Sequence, residues 1–430
     1  MHSTFGIRNL EESLMSQQAA MTSKTPAKTP PYAWVVLFAL YMATLAAPLN
    51  LFKLPPVMTT IQKAFNLSMS QSGDLMSIFS IMGFVLAIPA GYILKRFGIK
   101  MTGLIAVGSV AVGSCLGAIA ETSRMLFFGR FVEGVGMGLI MVAAPLAISM
   151  WFPAQKRALP TGLWASSVGI GNIVTLLFAP SLAVSYGWRS VWWVGAGFSA
   201  LSFILFAILF RMPRKEEMYE TPAPAPASAT QEESPSLLKG MANSNFWMIS
   251  IAFGCYNLVV MALCSFLPAF LEIGRGYSLT FEKGVLMNAS FVTAFIMLAS
   301  IFSGPGGGYI SDRLGKRKII VLISYILMTL TFVLPFTVTG WMIPAYMLIF
   351  GIVGGPIAPI LLAAVPEVAT KPQLIGIGMS VAAVGQNIGM YVGPTLFSRI
   401  QEVQGWAAAG YWMIPVCLIG IIATCRIKVR

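Results

Sequence analysis

Gly308-Tyr309-Ile310-Ser311-Asp312-Arg313-Leu314-Gly315-Lys316-Arg317-Lys318 is a short polar loop, marked by glycines, between two long apolar runs. A weaker copy, Gly91-Tyr92-Ile93-Leu94-Lys95-Arg96-Phe97-Gly98-Ile99-Lys100, stands about 217 residues earlier, roughly half the chain. Gly187-Trp188 returns as Gly405-Trp406 at an offset of about 218. Asn172, in Val168-Gly169-Ile170-Gly171-Asn172-Ile173, returns as Asn387, in Val384-Gly385-Gln386-Asn387-Ile388, at about 215. Three landmarks with nearly one spacing make the chain two copies of one unit.

The composition belongs in a lipid bilayer. Of the 430 residues, 57% are hydrophobic and only 10% charged, against about 25% charged in soluble domains; mean hydropathy is +0.79. The length accommodates about twelve spans of about 20 residues with short loops. Net charge is +13, but the basic residues sit in loops between apolar runs and form no stripe, so no nucleic-acid partner is expected. About twenty of the 28 Lys and Arg fall on the side that holds the N-terminus, the two repeated loops and the C-terminus, and about seven on the other. That excess predicts cytoplasmic termini in the cytoplasmic (plasma) membrane. The five cysteines (Cys115, Cys255, Cys264, Cys417, Cys425) have no metal-ligand spacing, and His2 is the only histidine. No metal, cofactor or catalytic constellation is expected, and the chain reads as a protein other than an enzyme.

In order, the chain offers a polar N-terminal tail (1–31), six apolar runs (32–210), a Pro/Ala/Ser/Glu-rich linker (211–245), six further runs (246–424) and a basic tail (425–430). The first run, from Tyr32 to about Phe52, meets Lys53, Pro55 and Pro56, which reads as its far end. Asp74 precedes the second run and reads as its N-cap.

The pattern Gly-x-x-x-Asp-Arg-x-Gly-Arg/Lys-Lys between apolar helices resembles the signature loop of the major facilitator superfamily of transporters. The second copy matches fully; the first has Lys95 in place of the acid. The resemblance implies an all-α membrane protein with twelve transmembrane helices in two pseudo-symmetric six-helix bundles around a central cavity. It also implies a gate on the cytoplasmic side, with Gly91, Arg96, Gly98, Gly308, Asp312, Arg313, Gly315 and Arg317 as its members. The glycines let helices approach and the chain turn, and the acid meets a helix N-terminus of the opposite half. Glu367, in Pro366-Glu367, is placed to pair with Arg313 or Arg317. Its counterpart region, Pro153-Ala154-Gln155-Lys156-Arg157, has no acid, so the charged gate is expected to work in the second half only.

Charges deep in a bilayer cost at least about 2.5 kcal/mol each and mark functional sites by default. Arg130 and Glu133 share one face of the fourth run, in a stretch, Arg130-x-x-x-Gly134-x-Gly136, that resembles a second family motif. They either bind an anion or a proton or pair to hold helices together; Lys53 either reaches the cavity or snorkels to the far interface. Gly134 and Gly138 are spaced for close helix contact. Trp164, Asn172, Tyr256, Asn257 and Asn387 complete the candidate substrate-binding set, with ordinary packing as the alternative for the aromatics.

The expected function is secondary active transport of a small solute by alternating access. With Arg130 and Lys53 inside and almost no acids, the chain is loosely similar to anion and cyanate-type members, which implies a small organic or inorganic anion. H+ or a counter-anion is a candidate coupling partner, and a monomer the expected state. A multidrug exporter working as a proton antiporter is the alternative, and a non-transporting membrane sensor a remote one.

Overall fold

The computed structural model describes residues 29–428 apart from 87–88, 154–155, 215–216, 218–242, 279–287, 333, 335 and 370–373. Most of the tail 1–31 with His2, the core of the linker 211–245, Gln155 and the last two residues of the basic tail lie outside the described residues. All regular structure among the described residues is helical, and the chain makes twelve passes. Among the described residues, nine helices are individually long and apolar enough to cross a membrane. The three shorter ones are Met69–Val85, Arg317–Thr331 and Met413–Arg426.

Pass 1 runs over Tyr32–Phe65. Pass 2 starts with Met69–Val85 and continues from Pro89 to Gly98, where the chain turns into pass 3, ending at Ala118. Pass 4 is Ser123–Trp151, pass 5 Ala158–Tyr186 and pass 6 Arg189–Leu209. The second half repeats the order. Pass 7 is Ser244–Ala269 extended by one π-helical turn, Phe270–Gly274; pass 8 is Ala289–Leu314 and pass 9 Arg317–Thr331. Pass 10 joins Met342–Gly354 to Ile357–Val368. Pass 11 runs from Ile375 to a break at Gly405, and pass 12 ends at Arg426. The duplication is written in the backbone: the matched pairs Gly98/Gly315 and Gly187/Gly405 all hold positive φ, between 59° and 83°, where a side chain would be strained.

Two readings of the ends need correction. Pass 1 does not stop at Lys53. Pro55 and Pro56 carry no N–H, so they leave the carbonyls of Leu51 and Phe52 without helical donors. The chain crosses that gap as a single 3₁₀ turn, Pro55–Val57, and resumes as Met58–Phe65. Asp74 does not cap pass 2. Ser68 does, in a capping box with Gln71, so the helix begins five residues before Asp74.

Within each half, helices approach through small residues. An added Cβ on Gly113 would lie 2.5 Å from the Gly129 carbonyl (passes 3 and 4), and one on Gly389 would lie 2.1 Å from that of Gly254 (passes 11 and 7). Gly134 and Gly138 of pass 4 pack on pass 2, a Cβ falling 2.3 Å from the Phe79 carbonyl and 3.1 Å from that of Met82. Such seams are how apolar helices associate when there is no water to exclude between them.

The halves meet through pass 2 against pass 11, pass 5 against pass 8, and the Pro55–Val57 turn against pass 7. The end of the bundle where Tyr32 starts pass 1 and the described chain stops is called proximal here, the other end distal. The tightest contacts between halves are distal or central. A Cβ on Gly73 would lie 2.7 Å from the Pro394 carbonyl, and one on Gly83 2.2 Å from Asn387 Oδ1.

Candidate functional site

The double proline that breaks pass 1 also creates its charge site. Arg130 of pass 4 donates Nη1–H to the Asn50 carbonyl at 2.5 Å and Nη2–H to the freed Leu51 carbonyl at 3.1 Å. The second Glu133 oxygen accepts from Arg130 Nη1 at 2.9 Å, and the first accepts from Lys53 Nζ at 2.6 Å. Lys53 also donates to Asn50 Oδ1 at 2.7 Å and Ser114 Oγ at 2.8 Å, so its three N–H groups have three acceptors. Asn50 Nδ2 donates to Ser199 Oγ at 3.1 Å. Trp192 lies under the Lys53 ammonium at 4.7 Å and Phe79 under the Arg130 guanidinium at 4.8 Å, both favourable cation–π geometries. All three charged side chains are at most 2% exposed.

Every partner of this cluster belongs to passes 1, 2, 3, 4 and 6. Lys53 therefore neither snorkels to an interface nor faces the other half; it is turned into its own bundle. The sequence singled out Lys53, Arg130 and Glu133 separately, and the structure joins them. It adds Asn50, Ser114, Ser199 and Trp192, which carry no sequence signal beyond their polarity within apolar runs.

The remaining candidates lie on passes 5, 7 and 11. Trp164 of pass 5 donates its indole N–H to Thr44 Oγ1 of pass 1 at 2.8 Å. Asn172 is 1% exposed, and its Oδ1 has no partner among the described residues. On pass 7, Asn257 donates Nδ2–H to the Phe253 carbonyl at 2.8 Å, and Tyr256 lies against pass 10 near Gly354. Asn387 donates to the Ala383 carbonyl at 2.9 Å and turns its Oδ1 toward Gly83. Among the described residues no hydrogen bond joins any two of them.

At the proximal end, Arg317 holds both Asp312 at 2.8 Å and Glu367 at 2.9 Å. The Asp312 side chain is 66% exposed, and the whole cluster stays inside the second half. Arg313 lies in the last turn of pass 8, and Arg96 over the Phe97 ring at 5.8 Å. A Cβ on Gly91, Gly98, Gly308 or Gly315 would meet nothing within 4 Å. Nearby, Arg211 pairs bidentately with Glu217 at 2.6 and 2.7 Å and stacks over Tyr32 at 4.2 Å. Its hydrogen bonds, then the Arg214 backbone N–H, hold the Glu217 carboxyl down at about 2.

The distal end is fastened across the halves, which the sequence did not reveal. Glu402 of pass 11 accepts from the Ser70 backbone N–H at 2.7 Å, from the Ser68 hydroxyl at 3.3 Å and from the Ser70 hydroxyl. It thereby sits at the positive N-terminus of pass 2. Arg399 faces Asp74 at 3.7 Å, Thr395 donates to Ser77 Oγ at 2.8 Å, and Thr59 donates to Glu272 of the π turn at 2.6 Å. This end is closed by contacts between halves, while the signature-loop glycines at the other end face open space.

A duplicated twelve-pass helical body, fastened at one end and slack at the other, with charge sealed in one bundle, defines a membrane transporter. The Major Facilitator Superfamily model matches residues 40–394 and 287–429, and the chain belongs to that family. It is therefore a multi-pass membrane transporter and not an enzyme. The chain is 24% identical over 302 residues to the probable sulfoacetate transporter SauU of Cupriavidus necator, covering 67% of this chain and 69% of that protein. It is 23% identical to the nitrite extrusion protein of Bacillus subtilis, covering 80% and 82%. Relatives at the top of this similarity are matched over only 60–69% of their own length. Among solved structures, a bacterial homologue of the human lysosomal transporter Spinster, inward-facing and occupied, superimposes with TM-score 0.73 at 17% identity, covering 93% of this chain and 96% of that one. That likeness concerns the fold.

Proposed function

We propose that this transporter carries a small organic or inorganic anion across the plasma membrane by alternating access. The observation that carries the reading is the charge count of the sealed cluster: two cations against one carboxylate, with no other charge buried among the described residues. A net positive charge in a low-dielectric wall projects its field into the neighbouring cavity and favours an anion there. Relatives named for sulfoacetate and nitrite transport support the same class. Trp164, Asn172, Tyr256, Asn257 and Asn387 are proposed to supply neutral hydrogen bonds and aromatic surface to the solute. Lys53, Arg130 and Glu133 act on it through their field.

The two rocking bodies are residues 32–210 and 246–424, joined by 211–245. The proximal end is cytoplasmic, in accord with the basic residues of its loops. On this reading the distal contacts of Glu402, Arg399 and Glu272 form the closed outer gate. Asp312, Arg313, Arg317 and Glu367, with Arg96, form the inner gate, open here. The glycines of both signature loops are the surfaces on which it closes.

The test is uptake into proteoliposomes under an imposed pH gradient, across carboxylates, sulfonates and inorganic anions. Saturable uptake of one of these classes is expected, lost in Arg130→Gln. Indifference to every anion, with competition by lipophilic cations instead, would replace this reading with a multidrug exporter.

A further inference from the structure

The field argument takes the cluster as it stands, with Lys53 an ammonium. That form matches the geometry, since Nζ has three acceptors, Asn50 Oδ1, Ser114 Oγ and Glu133 Oε1. It also leaves one positive charge uncompensated in a dry site, an arrangement proteins avoid unless it is used. The groups that face Lys53 decide what can change. Pass 4 contributes Arg130, whose guanidinium does not lose its proton in proteins, and Glu133, already in contact with two cations. Pass 3 contributes Ser114 and the Cys115 thiol. Pass 6 contributes Trp192 and Ser199, neither of which titrates. Lys53 is the one member whose loss of a proton brings the cluster to neutrality, with Glu133 then held by Arg130 alone.

We propose that Lys53 binds and releases one proton in each transport cycle and that this proton is what makes the solute anion bind, so that the two travel together. The step is Lys53 Nζ–H₃⁺ giving Nζ–H₂ and a proton to water; no other bond changes. With the proton on, the bundle is positive and holds an anion; with it off, the bundle is neutral and lets the anion go. By linkage the effect is mutual: the anion holds the proton as firmly as the proton holds the anion. The proton also reaches the gate. Arg130 grips the two carbonyls at the break of pass 1, and the segment beyond that break closes on Glu272 of pass 7 through Thr59. When Glu133 no longer serves Lys53, it draws Arg130 to itself and loosens that grip.

This inference rests on the anion reading, but its first test does not. The Lys53 ammonium lies 4.7 Å over Trp192, so its charge perturbs that indole. In purified protein, the part of the fluorescence lost in Trp192→Phe should titrate with one proton over the pH range in which the protein stays folded. The titration should vanish in Lys53→Arg, which keeps the charge and the donors, and persist in Cys115→Ala. Absence of a Trp192-dependent titration in the native protein, or its survival in Lys53→Arg, overturns the proposal. If Lys53→Arg does not fold, the native protein still decides. Binding of a transported anion should take up about one proton from a weakly buffered dye solution and move the Trp192 midpoint upward; no uptake, or a downward shift, overturns it. Failure of every anion to be transported would instead remove the reading above, and the fluorescence result would stand by itself.

Discussion

Neutralising Glu133 should damage the protein far more than neutralising Lys53, although the two form one ion pair. The pair is fully buried, Lys53 Nζ at 2.6 Å and Arg130 Nη1 at 2.9 Å from the two Glu133 oxygens. Glu133→Gln removes the cluster's only negative charge and leaves Arg130, and Lys53 while it is protonated, without a counter-charge in a dry site. Removing one partner of such a group costs about 3–5 kcal/mol. Lys53→Met leaves Arg130 and Glu133 as a neutral pair. Ser114 keeps its bonds to Asn50 Oδ1 and the Trp192 carbonyl, and one Glu133 oxygen loses its donor. That change costs about 1–3 kcal/mol, the range for a buried polar atom left without a partner. At mid-range the expected gap is therefore about 2 kcal/mol. Thermal unfolding of the purified variants in one detergent should rank native, then Lys53→Met, then Glu133→Gln. The double variant Lys53→Met/Glu133→Gln should lie above Glu133→Gln, because deleting one cation relieves the repulsion. A reversed order of the single variants, or a double variant below both, would refute the charge count.

Four further outcomes follow from the two ends of the bundle. Glu402→Ala removes a carboxylate from the solvated N-terminus of pass 2, worth about 0.3–1 kcal/mol, and should shift the population toward the distal-open state roughly two- to fivefold, read as faster labelling of a cysteine placed at Ser77. Gly73→Leu should prevent distal closure outright, since even a Cβ there would lie 2.7 Å from the Pro394 carbonyl; unchanged distal labelling would count against it. An added Cβ on Gly91 of pass 2 or on Gly376 of pass 11 meets nothing within 4 Å, so a cysteine pair from Gly91→Cys and Gly376→Cys should cross-link only when the distal end opens. Asp312→Asn should slow transport much more than Lys95→Ala, because Arg317 holds Asp312 at 2.8 Å and Glu367 at 2.9 Å; equal effects would remove the asymmetry between the halves.

Much of the fold was legible because membrane helices announce themselves by length and by turn glycines at a fixed offset. Gly98, Gly187, Gly315 and Gly405 all took up the positive φ that their place in the repeat suggested. Lys53 was misjudged for a physical reason. A double proline ordinarily ends a helix, and here a guanidinium from another helix satisfies the carbonyl it orphans. Asp74 was taken for a cap because the better capping box, Ser68 with Gln71, lies in a polar stretch that read as loop. The distal fastening could not be read at all. Glu402 and Ser70 are 332 residues apart, each looks like an ordinary surface residue, and only the superposition of the two halves brings them together.

The two copies have come to do different physical work, and the division explains why the repeat is imperfect where it is. Among the described residues the second half buries no charge. Asp312, Arg317 and Glu367 pair at one end of it, and Glu272, Arg399 and Glu402 reach the first half at the other. The first half keeps its interior charge sealed and offers the distal gate mostly hydroxyls and a helix N-terminus, through Thr59, Ser68 and Ser70. Lys95 in place of the signature acid fits this division, since a carboxylate there has no inner partner like Glu367 to share an arginine with. The sealed cluster and the distal contacts are joined at the broken end of pass 1. Its carbonyls at Asn50 and Leu51 are held by the sealed cluster, and its tip at Thr59 is held by Glu272 of the other half. The proton change proposed for Lys53 would therefore act on a segment that already bridges the halves.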